Sequence, residues 1–238
     1  METLRSKKIA RLPLMALTTL LLFMLSFSLL QAQQGRGYGT MPEPPNLGIL
    51  KQTIRYYIES GAYEADIGRV IDSARAYVSI RCASVQQPAI VLDIDETSLS
   101  NLSFEYQYDF GYEPNAWNNW VKEEAAKPIK ATRELVQWAR EKNIAVFFIT
   151  GRQQLSPNLS TDPTVLNLNR AGYAGWTKIY FKPADAKMTT VQFKTNARKE
   201  ISKEGYTIIA NIGDQYSDLE GGYAERTFKL PNPMYYIP

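Results

Sequence analysis

The 238-residue chain has no histidine and a single cysteine. Without histidine there is no Ser-His-Asp triad, no Cys-His pair, no histidine nucleophile and no His-ligated zinc. With Cys82 alone, neither an internal disulfide nor a cysteine-ligated zinc cluster can form. A cysteine-nucleophile phosphatase loop needs an arginine where this chain has Pro88. Net charge is lacking too, once the N-terminus is set aside. Residues 1–32 hold four of the 27 basic and one of the 24 acidic residues, which leaves 23 of each sign. A neutral remainder gives no argument for a nucleic-acid polymer or an anionic membrane as partner. What is left to carry chemistry is carboxylates, Lys, Arg, hydroxyls and a metal.

The N-terminus reads as a targeting segment. Arg5, Lys7, Lys8 and Arg11 precede a largely apolar run from Leu12 to Leu30, and Leu30-Gln31-Ala32 offers a small residue for cleavage. Residues 1–32 are expected to be a signal peptide, giving an exported, periplasmic or secreted protein with no membrane contact after cleavage. The run is also long enough to serve as an uncleaved anchor. Residues 33–46 (QQGRGYGTMPEPPN) have no periodicity and read as a flexible linker. The remainder, 47–238, is expected to be one catalytic domain; 45% of the chain is hydrophobic, enough for a substantial core.

Within it, strand and helix patterns alternate. Leu47, Leu50, Ile54 and Ile58 lie at helical spacing with Gly61 as a stop, and a second stripe runs from Ile67 to Val78. Ala89–Leu92, Ile144–Ile149 and Tyr206–Ile212 read as buried strands, and Lys178–Phe181 as a short one. Helices are expected over Pro128–Lys142, from Asp162-Pro163 to Gly172, and over Thr195–Glu204. Such alternation predicts an α/β fold, a Rossmann-like parallel sheet with helices on both faces. Leu99–Trp120 breaks the pattern. Its seven aromatic residues suit a small cap over about 99–127, offering stacking surface to an organic substrate, or merely pinning an insertion to the body.

The first strand ends in Asp93 and Asp95, which alternation places on one side. Two carboxylates at the carboxyl end of a buried strand either hold a hard cation or make a solvated turn. The other strands end in Thr150-Gly151-Arg152 and Gly213-Asp214, with Asp218 following. In a parallel sheet Asp93, Asp95, Thr150, Asp214 and Asp218 converge on one edge. That set suits displacement at phosphorus. Asp93 can attack phosphorus and form an aspartyl-phosphate. Asp95 can protonate the leaving oxygen and then deprotonate water. Thr150 can donate to a phosphoryl oxygen, and Mg²⁺ can lie between Asp93, Asp214 and a backbone carbonyl. Asp93, Asp95 and Asp214 make up the candidate metal set, and a lysine must supply the remaining charge. Gly151 and Gly213 are expected to permit close backbone approach.

Asp93-Ile94-Asp95-Glu96-Thr97, Ile149-Thr150-Gly151-Arg152 and Gly213-Asp214-Gln215-Tyr216-Ser217-Asp218 resemble, in order, motifs of the haloacid dehalogenase superfamily phosphatases. DIDETSLSN, RAGYAGWTKI, FKTNARKEISKEGY, GDQYSDLEGG and FKLPNPMYYIP are similar to its acid phosphatase branch, which includes plant acid phosphatases and vegetative storage proteins. The resemblance covers about Tyr63 to Pro238. It implies the haloacid dehalogenase fold and a Mg²⁺-dependent acid phosphatase acting on a small phosphomonoester. It also implies that Lys194, placed before a helix, is the missing lysine, ahead of Lys182 and Lys187. Asp218 would orient the metal's water or the lysine. Arg152 receives no chemical role. Asp95 favours phosphomonoester chemistry over dehalogenation. A non-catalytic storage or binding relative, and a phosphotransferase between organic substrates, are the competing readings.

Overall fold

The structure, a computed structural model, describes residues 43–184 and 187–238. The expected signal peptide, and the linker up to residue 42, lie outside the described residues. Among the described residues no helix is long and apolar enough to cross a membrane.

Two helices, α1 (Leu47–Glu59) and α2 (Ala62–Arg81), are joined at Gly61, whose φ of 80° opens the left-handed turn between them. Strand β1 (Pro88–Leu92) follows. Next come a two-residue strand β2 (Leu99–Ser100), helices α3 (Leu102–Gln107) and α4 (Pro114–Glu123), and β3 (Lys127–Pro128). β2 and β3 pair antiparallel, so the aromatic segment leaves and rejoins the body at adjacent points. Asp109 anchors it to α1 through Lys51 and Arg55.

The chain continues through α5 (Lys130–Glu141), β4 (Ala145–Thr150), α6 (Pro163–Arg170), β5 (Lys178–Phe181) and α7 (Thr190–Lys203). It closes with β6 (Thr207–Gly213), a one-turn helix α8 (Tyr216–Leu219) and β7 (Arg226–Lys229). As expected, Asp162 caps α6 by accepting from Thr164 N–H, with Pro163 at the first helical position. Helix α7 differs from expectation. It starts at Thr190, five residues earlier than Thr195, because Thr189 and Gln192 form a reciprocal capping box.

Strands β5-β4-β1-β6-β7 form one parallel sheet. Period-two alternation sorts β1 onto both faces. Ile90, Leu92 and Ile94 pack with Ile67, Ile71 and Val78 of α2 and Leu135, Val136 and Ala139 of α5. Ala89 and Val91 pack with Phe193, Ala197 and Ile201 of α7. Each buried Val, Leu, Ile or Phe among them contributes about 1.5–3 kcal/mol relative to exposure. This parity places the site. Asp93 continues the row of Ala89 and Val91, on the face covered by the helix that carries Lys194. The chain leaves β1 toward β4 and β5, then returns to β6 on β1's other side. The crevice at such a switch point is where open α/β sheets bind ligands.

Candidate active site

The carboxyl ends of β1, β4 and β6 are level, since Leu92 pairs with both Phe148 and Ile212. Asp93 N–H donates to Ile212 O at 3.0 Å, one step beyond the assigned strand. The chain then turns sharply. The N–H groups of Thr97, Ser98 and Leu99 all point at Ile94 O, and Glu96 takes a left-handed φ of 49°. Glu96 is held there by its own carboxyl, which accepts from Asn101 N–H (2.6 Å), Asn101 Nδ2 (3.0 Å) and Tyr235 OH (2.9 Å). Burial, then the charge of Asp95, pushes that carboxyl up to about 8.

Asp93, Asp214 and Asp218 bring carboxylate oxygens within 4.8 Å of one another. All three residues are buried, Asp93 at 7% and Asp214 at 1% exposure. Lys194 Nζ ion-pairs with Asp93 and sits 2.6 Å from Asp218 Oδ1. Burial alone would lower the Lys194 pKa, but the two aspartates outweigh it and raise it. Asp214 Oδ1 accepts from Thr97 Oγ1 at 3.0 Å, and its Oδ2 from Gln215 Nε2 and Asn232 Nδ2, both at 2.7 Å. Burial, reinforced by Asp218, nevertheless pushes Asp214 up to about 6. Asp93 is raised in the same way, mainly by burial, against the pull of Lys194. Three buried carboxylates against one ammonium leave negative charge in a low-dielectric site. An all-oxygen donor set of that sign fits a hard divalent cation.

Asp218 is the third residue of α8, and its Oδ2 reaches back to Gln215 N–H at 2.8 Å. It is therefore not the cap residue itself. Its approach explains Gly213: a Cβ there would overlap Asp218 Cβ. At Gly151 a Cβ would meet nothing within 4 Å, so packing within the protein does not require that glycine. Thr150 is fully buried at the end of β4. Its Oγ1 accepts from Arg152 N–H at 3.0 Å and keeps its own proton to donate.

The structure places the Asp95 side chain outside the acidic cluster. Its Oδ1 accepts from Arg152 Nη2 (2.6 Å), Arg152 Nε (3.1 Å) and Asn101 Nδ2 (2.8 Å), while Oδ2 accepts from Arg152 Nε alone (3.1 Å). Asp218 thus takes, among side chains, the third place that the sequence reading gave to Asp95. Arg152, assigned no chemistry from the sequence, is the residue that fixes Asp95. Lys194 lies inside α7 rather than before it. Lys182 lines the cavity but bonds Thr190 Oγ1 at 3.3 Å, and Lys187 is exposed.

These groups open onto a cavity of about 480 Å³. Asp93, Asp95 and Lys194 form its floor, and Phe110, Tyr112 and Trp117 of the aromatic segment line it. Phe104 does not; it is buried and packs edge-on to Trp117 at 5.2 Å. So the segment's aromatics divide between the two roles the sequence left open. The far wall, Tyr235, Tyr236 and Ile237, comes from the C-terminal stretch, which sequence reasoning did not connect to the site.

With this geometry in hand, comparison decides the family. Residues 38–238 match the HAD superfamily, subfamily IIIB (Acid phosphatase). The chain belongs to this family. It is 33% identical to Acid phosphatase 1 of Solanum lycopersicum over 190 residues, covering 77% of this chain and 73% of that protein. Vegetative storage protein 1 of Arabidopsis thaliana is 32% identical over 191 residues, covering 77% of this chain and 68% of that protein. The class C acid phosphatase from Bacillus anthracis shares the fold, with a TM-score of 0.63 at 23% identity, covering 79% of this chain and 86% of that one. As an acid phosphatase the chain is a phosphoric monoester hydrolase, and such hydrolases act on small phosphomonoesters.

Proposed function

We propose that this acid phosphatase works through an aspartyl-phosphate on Asp93. The observation that carries the reading is the Asp93–Lys194–Asp218 arrangement, which lines one cavity together with Asp95. Mg²⁺ is the proposed cofactor, held by the side chains of Asp93 and Asp214 and a main-chain carbonyl of the first motif. Bound there, it would neutralise the buried carboxylates and the phosphoryl oxygens.

Asp93 Oδ attacks phosphorus, and the P–O bond to the leaving alcohol breaks. Asp95 gives its proton to the leaving oxygen. Its Oδ2, with one bond from Arg152, is the oxygen left to carry that proton. Asp95 then takes a proton from water, whose oxygen attacks the phosphorus of the aspartyl-phosphate. Phosphate leaves and the Asp93 carboxylate returns. Lys194 and Thr150 steady the phosphoryl oxygens.

The likeness to vegetative storage proteins favours a second reading, a non-catalytic storage relative. The intact Asp93–Lys194 pair speaks against it. A rapid-quench assay with labelled phosphate tests the choice. Asp93→Asn should lose turnover and all trapped phosphoenzyme. Asp95→Asn should accumulate phosphoenzyme from an activated ester, because formation then needs little protonation while hydrolysis still needs the base. If neither change affects turnover, the mechanism fails. Adding an alcohol acceptor to the same assay separates hydrolysis from phosphotransfer.

Export is proposed alongside, from the basic and then apolar N-terminus. The protein should begin near Gln33; N-terminal sequencing that finds an intact Met1 in a membrane fraction would favour the anchor.

A further inference from the structure

Glu105 is a buried acid in the same cavity to which the steps above give no task. It is 5% exposed and lines the cavity. Among the described residues its carboxyl takes part in no hydrogen bond or ion pair. Its oxygens are not among the fully buried polar atoms that lack a partner, so the carboxyl is open to the cavity. Its place on α3 is informative. Glu105 N–H donates to Asn101 O at 3.0 Å, so the two residues lie one turn apart on one helix face. Asn101 bonds Asp95, the proposed acid for the leaving oxygen. Residues so spaced have Cβ atoms about 5–6 Å apart. Glu105 therefore lies one helical turn beyond the residue that bonds Asp95, and it lines the same cavity as Asp95.

The geometry points to Glu105 as a specificity-determining residue: its carboxyl hydrogen-bonds a hydroxyl of the leaving group, so preferred substrates are phosphate esters of polyols, sugars included, rather than of plain alkyl alcohols. This rests on the phosphatase reading of the site above. Burial, and after it the charge of Asp95, pushes Glu105 up to about 7. Near neutrality both forms are populated, and a hydroxyl can serve either, as acceptor to one and donor to the other. A leaving group without a hydroxyl leaves the carboxyl unpaired, which is how a polar site discriminates.

The test compares kcat/KM for glycerol 1-phosphate and propyl phosphate, which differ in hydroxyls alone, in the full-length protein. The wild-type protein should prefer the glycerol ester by about ten- to a hundredfold, the range of one hydrogen bond to such a group. Glu105→Leu should erase that preference by slowing the glycerol ester alone, and Glu105→Gln should retain most of it. The wild-type preference reads the proposal even if Glu105→Leu does not fold. No wild-type preference, or an equal loss on both esters, overturns it. So does a loss confined to an aminoethyl phosphate, which would make Glu105 a cation site. Inactivity of the wild-type protein on every ester, including an activated aryl phosphate, would instead overturn the phosphatase reading beneath it.

Discussion

At the scale of single residues, the site is governed by which carboxylates are tied and to what. Arg152 grips Asp95 through Nε and Nη2 together, a geometry that lysine cannot reproduce. Arg152→Lys should therefore leave the fold in place and cut kcat by about ten- to a hundredfold, part of the 10²–10⁴ that general acid–base help supplies. The deficit should shrink as the leaving alcohol becomes more acidic, measured across a series of aryl phosphates. A deficit independent of the leaving group would detach Arg152 from Asp95's task. Glu105 gives a pH signature. Its carboxyl is ordinarily half-protonated near 4.5 and is pushed up to about 7 in the folded chain, by burial and then by Asp95. Folding therefore holds a proton that the unfolded chain releases between those values. Stability is fully present below about 4.5, declines through that window, and is level above it. Glu105→Gln cannot ionise, so its Tm relative to the wild-type protein should rise from pH 4.5 to pH 8. A constant difference in metal-free thermal melts would refute this.

At the scale of elements, strand ends and one helix do the positioning. Gly213 ends β6 against Asp218, and Gly213→Ala would have to displace that side chain. A loss of about 1–3 kcal/mol in denaturant melts is expected, as for overpacking elsewhere. Activity should fall with it, because Asp218 bonds Lys194. An alanine variant with unchanged stability and rate would show that Asp218 has room to move. The three central strands were legible because buried parallel strands are short continuous apolar runs. Strand β7 was not: Arg226 to Lys229 is a four-residue edge strand whose first two residues are exposed, so it carries no apolar run. The start of α7 was readable in principle, since Thr189 and Gln192 have capping-box spacing, but the positions one turn before Phe193 on its apolar stripe, Thr189 and Thr190, are polar. Asp93, Asp214, Asp218 and Lys194 could be placed together from strand ends and motif order. The partners Arg152, Asn101, Asn232 and Tyr235 could not. Arg152, Asn232 and Tyr235 are polar side chains meeting groups far off in sequence, and Asn101 reaches back across the turn after β1; periodicity carries no information about such pairings.

At the scale of the whole molecule, folding brings three acids, two from strand ends and one from α8, into one buried cluster, and a cation should stabilise the folded state by binding there. An ion that binds only the folded chain adds about 2.7 kcal/mol at a hundred times its Kd. Mg²⁺ should therefore raise Tm and restore activity lost to a chelator, and Asp214→Asn should abolish the Tm shift. Full activity in excess chelator, or the same shift in the variant, would exclude the proposed metal site.

The C-terminal stretch adds a matter of timing. Asn232 donates to Asp214, Tyr235 to Glu96, and Ile237 N–H to Gln215 Oε1 at 3.1 Å. A ribosome that has already delivered every acid and the lysine has still not delivered the wall that braces them. In the order of synthesis the reactive groups come before the side chains that brace them, and the carboxylates wait unbraced until residues 232–237 join them.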